Sequence, residues 1–321
     1  MFQRPCWSVD QLPDLSGRVA LVSGGSNGLG LHTAIQLRAK GAQVIVISRT
    51  WTTSASEAEA SPPDEDTAMD RKQGPKIEHI WADFSDLDSV KAAADKFKQR
   101  NLPLHILVNN VGCIADFSLA KHGIETQFTV NHFGPVVLTN ELLPVIEASQ
   151  PSRIVNITSM AHMFVFPKIF YENVNNQKVF DPEVRYNETK LANIHFTREL
   201  QRRLDAKYAN LSRECAIYVN CVHPGAVDTN GPRENPKGHD VKNKLINSIR
   251  ISVEKGALTQ IYVAGARDVE EKGWKGKYFV PYCELADPSA IATNQDQAER
   301  TWDWTAYMLR EHFDPDFDYC V

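Results

Sequence analysis

The segment from residue 18 to residue 40 constrains the fold more than any other part of the chain. A short apolar run, Arg18 to Val22, leads into the glycine-rich sequence Ser23-Gly-Gly-Ser-Asn-Gly-Leu-Gly30, and a helical pattern follows from Leu31 to Lys40. This order predicts a strand, a tight turn and a helix. Such a turn brings the amides of a helix N-terminus to one edge of a sheet, where they can bind an anion.

The glycines of this turn have separate physical roles: a tight turn, close approach of the backbone to a pyrophosphate, and close packing of the helix on the strand. Their spacing, Gly-x-x-x-Gly-x-Gly, differs from the Gly-x-Gly-x-x-Gly of the longer-chain dehydrogenases. A flexible loop is the alternative interpretation. The residues of the turn that we expect to contact a dinucleotide are Gly24, Ser26, Asn27, Gly28, Leu29 and Gly30.

Strand-like and helix-like segments alternate along the rest of the chain, which predicts an α/β fold, a Rossmann-like doubly wound parallel sheet in a single domain. The predicted strands lie near residues 18–23, 43–48, 77–82, 104–108, 153–158, 216–222 and 277–280. Within the single domain 1–321, we expect residues 16–230 to form the cofactor-binding and catalytic core. The expected substrate-side segments are 160–185, 226–252 and 282–321. The stretch 51–75 is rich in Ser, Ala, Glu, Asp and Pro and is interpreted as a helix plus a solvated loop.

A second motif lies 27 residues after Ser159, where Tyr186-Asn-Glu-Thr-Lys190 spaces a phenol and an ammonium four residues apart. On a helix this spacing puts both groups on one face. A nearby cation stabilises a phenolate, so we expect Tyr186 to exchange a proton near neutral pH. Chance matches to Tyr-x-x-x-Lys are common, so the motif carries weight only together with its neighbours.

These two motifs, in this order and about 160 residues apart, resemble the short-chain dehydrogenase/reductase family. Three further stretches fit the resemblance: Asn109-Asn-Val-Gly112, Val130-Asn-His-Phe-Gly134 and His223-Pro-Gly-Ala-Val-Asp-Thr229. Val111 departs from the family's usual alanine. Within the family, the stretches Ser159-Met-Ala-His162 and Lys190-Leu-Ala-Asn193 look most like the retinol-dehydrogenase-like branch and its fungal relatives, which suggests secondary metabolism.

The resemblance implies a catalytic set. Tyr186 would be the general acid in reduction or the base in oxidation, Ser159 a hydrogen-bond donor to the substrate oxygen, and Lys190 the activator of Tyr186 and a ribose ligand. Asn131 would hold a water behind Lys190. Each of these residues has a structural alternative, such as satisfying a backbone group. The resemblance also places Asn110, Val227 and Thr229 beside the cofactor.

The end of the second predicted strand bears on cofactor choice. Val44-Ile-Val-Ile-Ser-Arg49 lacks the acidic residue that accepts hydrogen bonds from the ribose of NAD, and it offers a hydroxyl and a guanidinium instead. Because arginine pairs well with phosphate, we expect NADP(H). Asp83 resembles the family residue that contacts adenine. The alternative is an acid at a helix N-terminus.

The stretch between Ser159 and Tyr186 is unusually aromatic and predicts a pocket for a bulky, mostly apolar or aromatic ketone or alcohol, with ordinary packing under a long loop as the alternative. His162 is compatible with binding a polar substrate group or with a hydrogen bond within the loop. We expect Trp302 and Trp304 to close the pocket, and the polar segment 230–251 to be a lid. The principal lining candidates are Met160, His162, Phe164 and Phe166; Met163, Phe170, Tyr171 and Phe180 are further ones.

Composition fits a soluble enzyme: 42% of the 321 residues are hydrophobic, 23% are charged and the net charge is −5. Nothing in it suggests a nucleic-acid partner, and no apolar stretch approaches the length of a membrane span. The six cysteines show no metal-like spacing, so no metal site is expected, and reduced thiols in a cytoplasmic protein are predicted. Relatives suggest a homodimer or homotetramer.

Three functions remain open at this point. The leading one is an NADPH-dependent carbonyl reductase or alcohol dehydrogenase acting on a small molecule. The second is a non-redox enzyme on the same fold that steers a cyclisation, isomerisation or dehydration. The third is a dinucleotide-sensing regulatory protein. A complete proton relay argues against the sensor and less strongly against the non-redox enzyme.

Overall fold

The computed structural model describes residues 7–51, 76–227 and 251–321. Thr229, the predicted lid up to residue 250 and most of the 51–75 connection therefore lie outside the described residues.

Eight strands form one sheet in the order β3-β2-β1-β4-β5-β6-β7-β8. All neighbours are parallel except the last pair, β7 and β8. The predicted α/β doubly wound sheet is confirmed, with seven strands close to their expected positions and one short strand that was not predicted. The strands are β1 Val19–Ser23, β2 Gln43–Ser48, β3 Glu78–Trp81, β4 Ile106–Asn109, β5 Ser152–Ile157, β6 Ile217–Val222, β7 Tyr278–Val280 and β8 Glu284–Ala286.

Helices connect the strands and cover both faces of the sheet. A five-residue π-helical segment, Thr129–Phe133, joins two of them, and a 3-10 turn, Met160–Phe164, follows β5. The described α-helices are α1 Gly28–Ala39, α2 Leu87–Lys98, α3 Thr126–Phe128, α4 Gly134–Ala148, α5 Pro182–Asn210, α6 Val253–Gly265, α7 Asp268–Glu271, α8 Ala290–Thr293 and α9 Gln295–His312.

The central strands are mainly apolar because neither face of the sheet meets water. β1 and β6, for example, are buried at every position. One core lies under α1 and α6 and includes Leu37 and Ile261. The other lies under α2, α4 and α5 and includes Phe97, Leu138 and Leu191. This two-sided burial fixes the sheet as a rigid platform for its loops.

The strand order reverses at β1, which pairs with β2 on one side and with β4 on the other. Loops leaving the carboxyl ends of β1 and β4 therefore diverge, and a crevice opens between them. Ser23 and Asn109 are register partners at this edge. Ser159 follows β5 by two residues at the same edge. The topology thus gathers the predicted site residues.

The C-terminal helix α9 packs on α5. Trp302 is 4% exposed and stacks on Tyr319 at 3.6 Å. Trp304 packs against Phe128 at 5.2 Å and against Tyr171 at 4.8 Å. The expectation that these tryptophans close a substrate pocket is therefore wrong for Trp302, which lies in the core. Trp304 packs against Tyr171 in the 160–185 segment.

No helix within the described residues combines the length and the apolarity that crossing a bilayer requires.

Candidate active site

The turn after β1 requires glycine for steric reasons. Gly24 and Gly28 have φ values of 64° and 51°, in the left-handed region that favours glycine. A Cβ at Gly30 would lie 2.4 Å from the Gly24 carbonyl oxygen and 2.5 Å from Asn110 Nδ2. Only glycine at these positions lets α1 begin so close to the end of β1.

The N-terminus of α1 has free hydrogen-bonding capacity. Its N-cap residue, Asn27, makes no side-chain capping hydrogen bond to the first turn. The first amides of a helix have no partner within the helix and carry the positive end of its dipole. An uncapped 12-residue helix at the crevice therefore fits the pyrophosphate of a dinucleotide.

The turn after β4 is fastened to the glycine turn. Asn110 Nδ2 donates to the carbonyl oxygens of Ser23 and Gly24, both at 3.1 Å. In return, Ser23 Oγ accepts from the amides of Asn110 and Val111 at 3.1 and 3.3 Å. Asn110 thus fixes the backbone of the predicted cofactor loop from beneath, a supporting role that the family resemblance did not specify.

Gly112, two residues after Asn110 in this turn, lies close to Lys190 and Asn131. A Cβ at Gly112 would lie 3.3 Å from Lys190 Nζ and 3.5 Å from Asn131 Oδ1. Lys190 is buried, donates to the Ile157 carbonyl at 3.2 Å, and its Nζ lies 5.3 Å from the centre of the Tyr186 ring. The helical spacing therefore places both groups on one face of α5, as predicted.

Ser159 completes this group from the end of β5. Its Oγ accepts from the Ala161 amide at 3.1 Å and caps the 3-10 turn. Because that bond uses a lone pair, the hydroxyl hydrogen is left to donate. Ser159 is also near enough to the Tyr186 hydroxyl to lower the pKa of that group. Two hydroxyls therefore converge beside the Lys190 ammonium.

Asn131 lies in the π-helical segment, a feature frequent at functional sites. Its side chain is fully buried and holds the backbone of Cys113, accepting from the amide at 2.7 Å and donating to the carbonyl at 2.9 Å. Its own carbonyl accepts from Asn193 Nδ2 at 2.9 Å. Asn131 thus joins the turn after β4 to α5 and lies close to Lys190. Its expected role in holding a water stays a prediction.

Burial dominates the titration of the two proton-exchanging groups. It raises the pKa of Tyr186 to about 12, against the opposing hydrogen bond from Ser159. It lowers the pKa of Lys190 to about 8. In the protein alone, therefore, the Lys190 ammonium does not lower the pKa of the Tyr186 phenol to near neutral pH, contrary to expectation. A phenol that keeps its proton at pH 7 is the form that can act as an acid.

On the adenosine side, Arg49 is exposed directly after β2. The neighbouring Ser48 hydroxyl is already engaged, because it donates to the Thr50 carbonyl at 2.8 Å and lies 3.0 Å from His79 Nε2. Arg49 is therefore the cation of this stretch that is left for a ligand.

Asp83 and Asp86 have different roles at the end of β3. Asp86 is the N-cap of α2 and accepts from the amides of Asp88 and Ser89. Asp83 Oδ1 accepts from the amide and the hydroxyl of Ser85 at 2.9 and 2.8 Å. Asp83 is therefore not the N-cap of α2, but it lies just before that helix and its backbone is hydrogen-bonded to Ser89 Oγ, so its alternative as an acid near the helix N-terminus stays open. An adenine contact stays a prediction.

Val227 meets the glycine turn through α6. A Cβ at Gly256 would lie 2.4 Å from Val227 Cγ2 and 3.0 Å from Leu29 Cδ2. Leu29 and Val227 are thus packed on the same helix, at the edge where the cofactor loop was predicted.

The loop after Ser159 exposes large apolar side chains. Phe164 is 74% and Phe166 86% exposed, and Met160 is 49% exposed. His162 is fully buried instead: its Nδ1 contacts the Ser159 carbonyl at 2.7 Å, and its Nε2 accepts from the Ser289 amide at 3.1 Å. His162 therefore secures the loop, the second of its two alternatives, and both ring nitrogens are occupied.

Sequence reasoning missed several residues of this site. Asn193 binds the Asn131 carbonyl, and Cys113 adjoins Lys190 and Tyr186, with a pKa that burial raises to about 11. Signals were present: Cys113 directly follows the Asn-Asn-Val-Gly turn, and Asn193 lies one helical turn beyond Lys190, next to it on the helix face. The buried Arg185 and Glu188, which flank Tyr186, had no such signal.

Two other features lie away from this crevice. A cavity of about 290 Å³ at the amino ends of the strands is lined by Arg18, His105 and Arg153, among others, and contains none of the predicted site residues. Within the described ranges, Asp86, Asp88 and His122 come close enough to share a cation, but the Lys121 ammonium already pairs with both carboxylates at 2.8 and 2.9 Å.

Comparison with known proteins agrees with this geometry. The family described as short chain dehydrogenase matches residues 18–239. Retinol dehydrogenase 12 from Mus musculus is 33% identical over 95% of this chain and 89% of its own length. Short-chain dehydrogenase/reductase drtF from Aspergillus calidoustus is 31% identical over 94% of this chain and 96% of its own length.

Among solved structures, a short-chain dehydrogenase from Burkholderia cenocepacia J2315, in complex with NADP, superposes with a TM-score of 0.60 and 25% identity over 83% of this chain and 97% of its own. Fold, site geometry and family match point to the same assignment. The chain belongs to the short-chain dehydrogenase/reductase family, whose members are oxidoreductases that act on CH–OH groups with NAD(P)(H).

Proposed function

We propose that this protein is an NADPH-dependent carbonyl reductase or alcohol dehydrogenase that acts on a bulky apolar or aromatic ketone or alcohol. The observation that carries the proposal is the convergence of Ser159, Tyr186 and Lys190 beside an uncapped helix N-terminus at the switch point of the sheet. A sensor needs the helix N-terminus but has no use for the proton relay.

The residues of the crevice fit a dinucleotide in parts. The bare glycine turn and the amides of α1 suit the pyrophosphate, Arg49 suits a 2′-phosphate, and Leu29 and Val227 offer an apolar wall. The absence of an acid at the end of β2 favours NADP over NAD, because a carboxylate there would repel the phosphate. The nicotinamide, when bound, supplies the hydride.

In reduction, the substrate oxygen would lie between the hydroxyls of Ser159 and Tyr186. Negative charge develops on that oxygen as the carbonyl carbon accepts hydride. The two hydrogen-bond donors therefore stabilise the transition state more strongly than the ground state. Tyr186, protonated at neutral pH, transfers its proton to the oxygen. The Lys190 ammonium beside the ring stabilises the phenolate that remains.

The substrate class follows from the loop after Ser159. Side chains such as Phe164 and Phe166 are exposed next to the catalytic serine, where an apolar substrate would cover them and gain about 25 cal/mol per Å² of apolar surface removed from water. Similarity to a retinol dehydrogenase and to a fungal short-chain dehydrogenase/reductase supports placement near the retinol-dehydrogenase-like branch. A role in secondary metabolism is a further part of the proposal.

The remaining features of the proposal are a single catalytic domain, a cytoplasmic location and a homodimer or homotetramer. No disulfide joins the cysteines of the described residues, which suits a reducing compartment.

The test is NADPH oxidation, followed by absorbance, with a panel of aromatic and aliphatic ketones of graded size. We expect turnover with bulky aromatic ketones and a lower KM for NADPH than for NADH. Conversion of a ketone to an isomer or a dehydrated product without NADPH consumption would overturn the redox proposal and favour the non-redox alternative.

A further inference from the structure

Arg185 and Glu188 are both buried in the first turns of α5, at 4% and 5% exposure, and they flank Tyr186. Arg185 Nη1 donates to Glu188 Oε2 at 2.9 Å. The pair is separated by three residues, so it occupies one face of the helix, while Tyr186 and Lys190 occupy another. A buried ion pair therefore lies directly behind the catalytic tyrosine.

Both members of the pair also hold the loop that runs from Ser159 to α5. Arg185 Nη2 donates to the Asn173 carbonyl at 2.8 Å. Glu188 Oε1 accepts from the Phe170 amide at 3.3 Å. Phe170 and Asn173 bracket one 3-10 turn of that loop, Tyr171–Asn173. The two charged groups thus form hydrogen bonds to the backbone at both ends of the turn.

A third element joins at Arg185. Its Nε lies 3.8 Å from Glu125 Oε2, and its guanidinium lies over the rings of Phe128 and Phe180 at 5.4 and 5.9 Å. Glu125 caps α3 by accepting from the amides of Gln127 and Phe128. One guanidinium therefore links α3, the loop and α5.

Stability alone does not account for this arrangement. Desolvating charges is expensive, and a well-packed apolar replacement of a buried ion pair is often as stable or more stable. Here one guanidinium faces two carboxylates, and burial raises the pKa of both Glu125 and Glu188. What an ion pair provides that an apolar pair does not is directional bonding to particular backbone groups.

We infer that Arg185 and Glu188 are positioning residues for substrate: they lock the loop turn at Phe170–Asn173 onto α5, and so fix the apolar wall of the substrate site relative to the Tyr186 hydroxyl. The inference rests on the proposed function for its kinetic consequence but not for its structural one. The pair affects the binding of large substrates, because only these reach the wall. It does not affect the binding of NADPH, which lies on the other side of the crevice.

The test compares Arg185→Met, Glu188→Gln and the double variant Arg185→Met/Glu188→Met with the unmodified protein. The single arginine change leaves the buried carboxylates of Glu188 and Glu125 without their cation and is expected to unfold most easily. The double variant removes the charges of the pair and leaves Glu125 with the two amide hydrogen bonds of its cap, so it should keep the fold better than the single arginine variant. The matched control is Glu199→Gln, which disturbs another buried glutamate on α5 that pairs with arginines three and four residues away, far from the crevice.

The activity-independent readout is hydrogen exchange. In the double variant, the amides of Phe170, Asn173 and Val174 should exchange at least tenfold faster while the centre of α5 stays protected, and Glu199→Gln should leave these amides unchanged. Unchanged exchange in the double variant would overturn the inference. This result does not depend on any ketone being accepted, so it separates failure of this inference from failure of the proposed function.

The kinetic readout is a split between KM and kcat. For the bulkiest accepted ketone, KM should rise on the order of tenfold in the double variant, with kcat for a small ketone and the Kd for NADPH within about twofold of the unmodified protein. Glu188→Gln keeps an acceptor for the Phe170 amide. Its KM for the bulkiest ketone should therefore lie between those of the unmodified protein and the double variant. A uniform loss across substrates, with a lower Tm, would show a merely structural role and overturn the inference.

Discussion

At the scale of single residues, the site is fixed mainly by side chains that bind backbone. Asn110 holds two carbonyls of the glycine turn, and Asn131 holds both the backbone amide and the backbone carbonyl of Cys113. An amide side chain has both donors and acceptors, so one residue can satisfy a backbone N–H and a backbone C=O at once. The reacting side chains, Ser159, Tyr186 and Lys190, are then placed on a framework with little freedom to shift.

The first residue-scale prediction concerns Arg49. Arg49→Ala should weaken NADPH binding about tenfold or more, because a charged hydrogen bond to phosphate is lost, and should leave NADH binding nearly unchanged. Isothermal titration with both cofactors measures this. Lys96→Ala, which removes one exposed positive charge from α2, is the control. Equal losses for both cofactors would contradict a 2′-phosphate contact.

The second concerns Tyr186. Tyr186→Phe keeps the ring and removes the proton donor, so fold and NADPH affinity should survive while kcat falls by roughly a hundredfold to ten-thousandfold. Single-turnover NADPH oxidation with an accepted ketone measures the loss. Tyr208→Phe, on the same helix and bonded to Gln150, should keep full activity. Near-normal turnover in Tyr186→Phe would exclude this residue as the acid.

At the scale of elements, strands β1 to β7 were predictable because β-branched and apolar residues are frequent in most of them, as in the continuous run Val44–Ile47 of β2. β8 was not, since it has only three residues, Leu285 at its centre is 48% exposed, and it follows Cys283 in a left-handed conformation with φ of 66°. Its pairing depends on β7 and the sheet edge and not on a local pattern.

The same distinction separates the predicted from the unpredicted parts of the site. Motif spacing located the glycine turn and the Ser159, Tyr186 and Lys190 group, because helix and turn geometry translate spacing into position. The bonding of His162 could not be read this way, since its partner Ser289 lies 127 residues along the chain. Ser48 likewise depends on His79, on a neighbouring strand.

The element-scale prediction concerns the loop after Ser159. Phe164→Ala and Phe166→Ala should change the ranking of ketones by kcat/KM and leave Tm nearly unchanged, since exposed side chains contribute little to stability. Val165→Ala provides the contrast: Val165 is 7% exposed, so its truncation should lower Tm and preserve the ranking. A lower Tm with an unchanged ranking in the phenylalanine variants would mean that they act as core residues.

At the scale of the whole molecule, the C-terminal helix α9 is joined to the catalytic framework through two buried histidines. His132, in the π-helical segment next to Asn131, contacts Thr305 Oγ1 at 2.8 Å. His195, on α5, contacts Thr301 Oγ1 at 2.7 Å. The region around the site is thus continuous with the last helix of the chain, and what destabilises these contacts acts on the whole fold.

Burial lowers the pKa of His132, His195 and His223 to about 4. Their ordinary pKa is about 6.5, so between pH 6.5 and pH 4 the unfolded chain binds protons that the folded protein does not. Stability must then fall as the pH falls through this window. Glu125 and Glu188, with raised pKa values, oppose the trend in its lower part because they take up protons when folded.

We therefore expect the free energy of unfolding, measured by urea denaturation, to be highest above pH 6.5 and to decrease steadily towards pH 4.5, with a net uptake of one to three protons on unfolding, about one for each histidine. His195→Gln removes one of these groups. It should lower stability at pH 7.5, because two buried hydrogen bonds change, yet it should flatten the pH dependence by up to one proton. The decisive quantity is the slope of the free energy of unfolding against pH. A purely structural defect would lower the free energy equally at every pH and leave this slope unchanged. An unaltered slope in His195→Gln would show that this histidine is not the neutral, buried group that the structure describes.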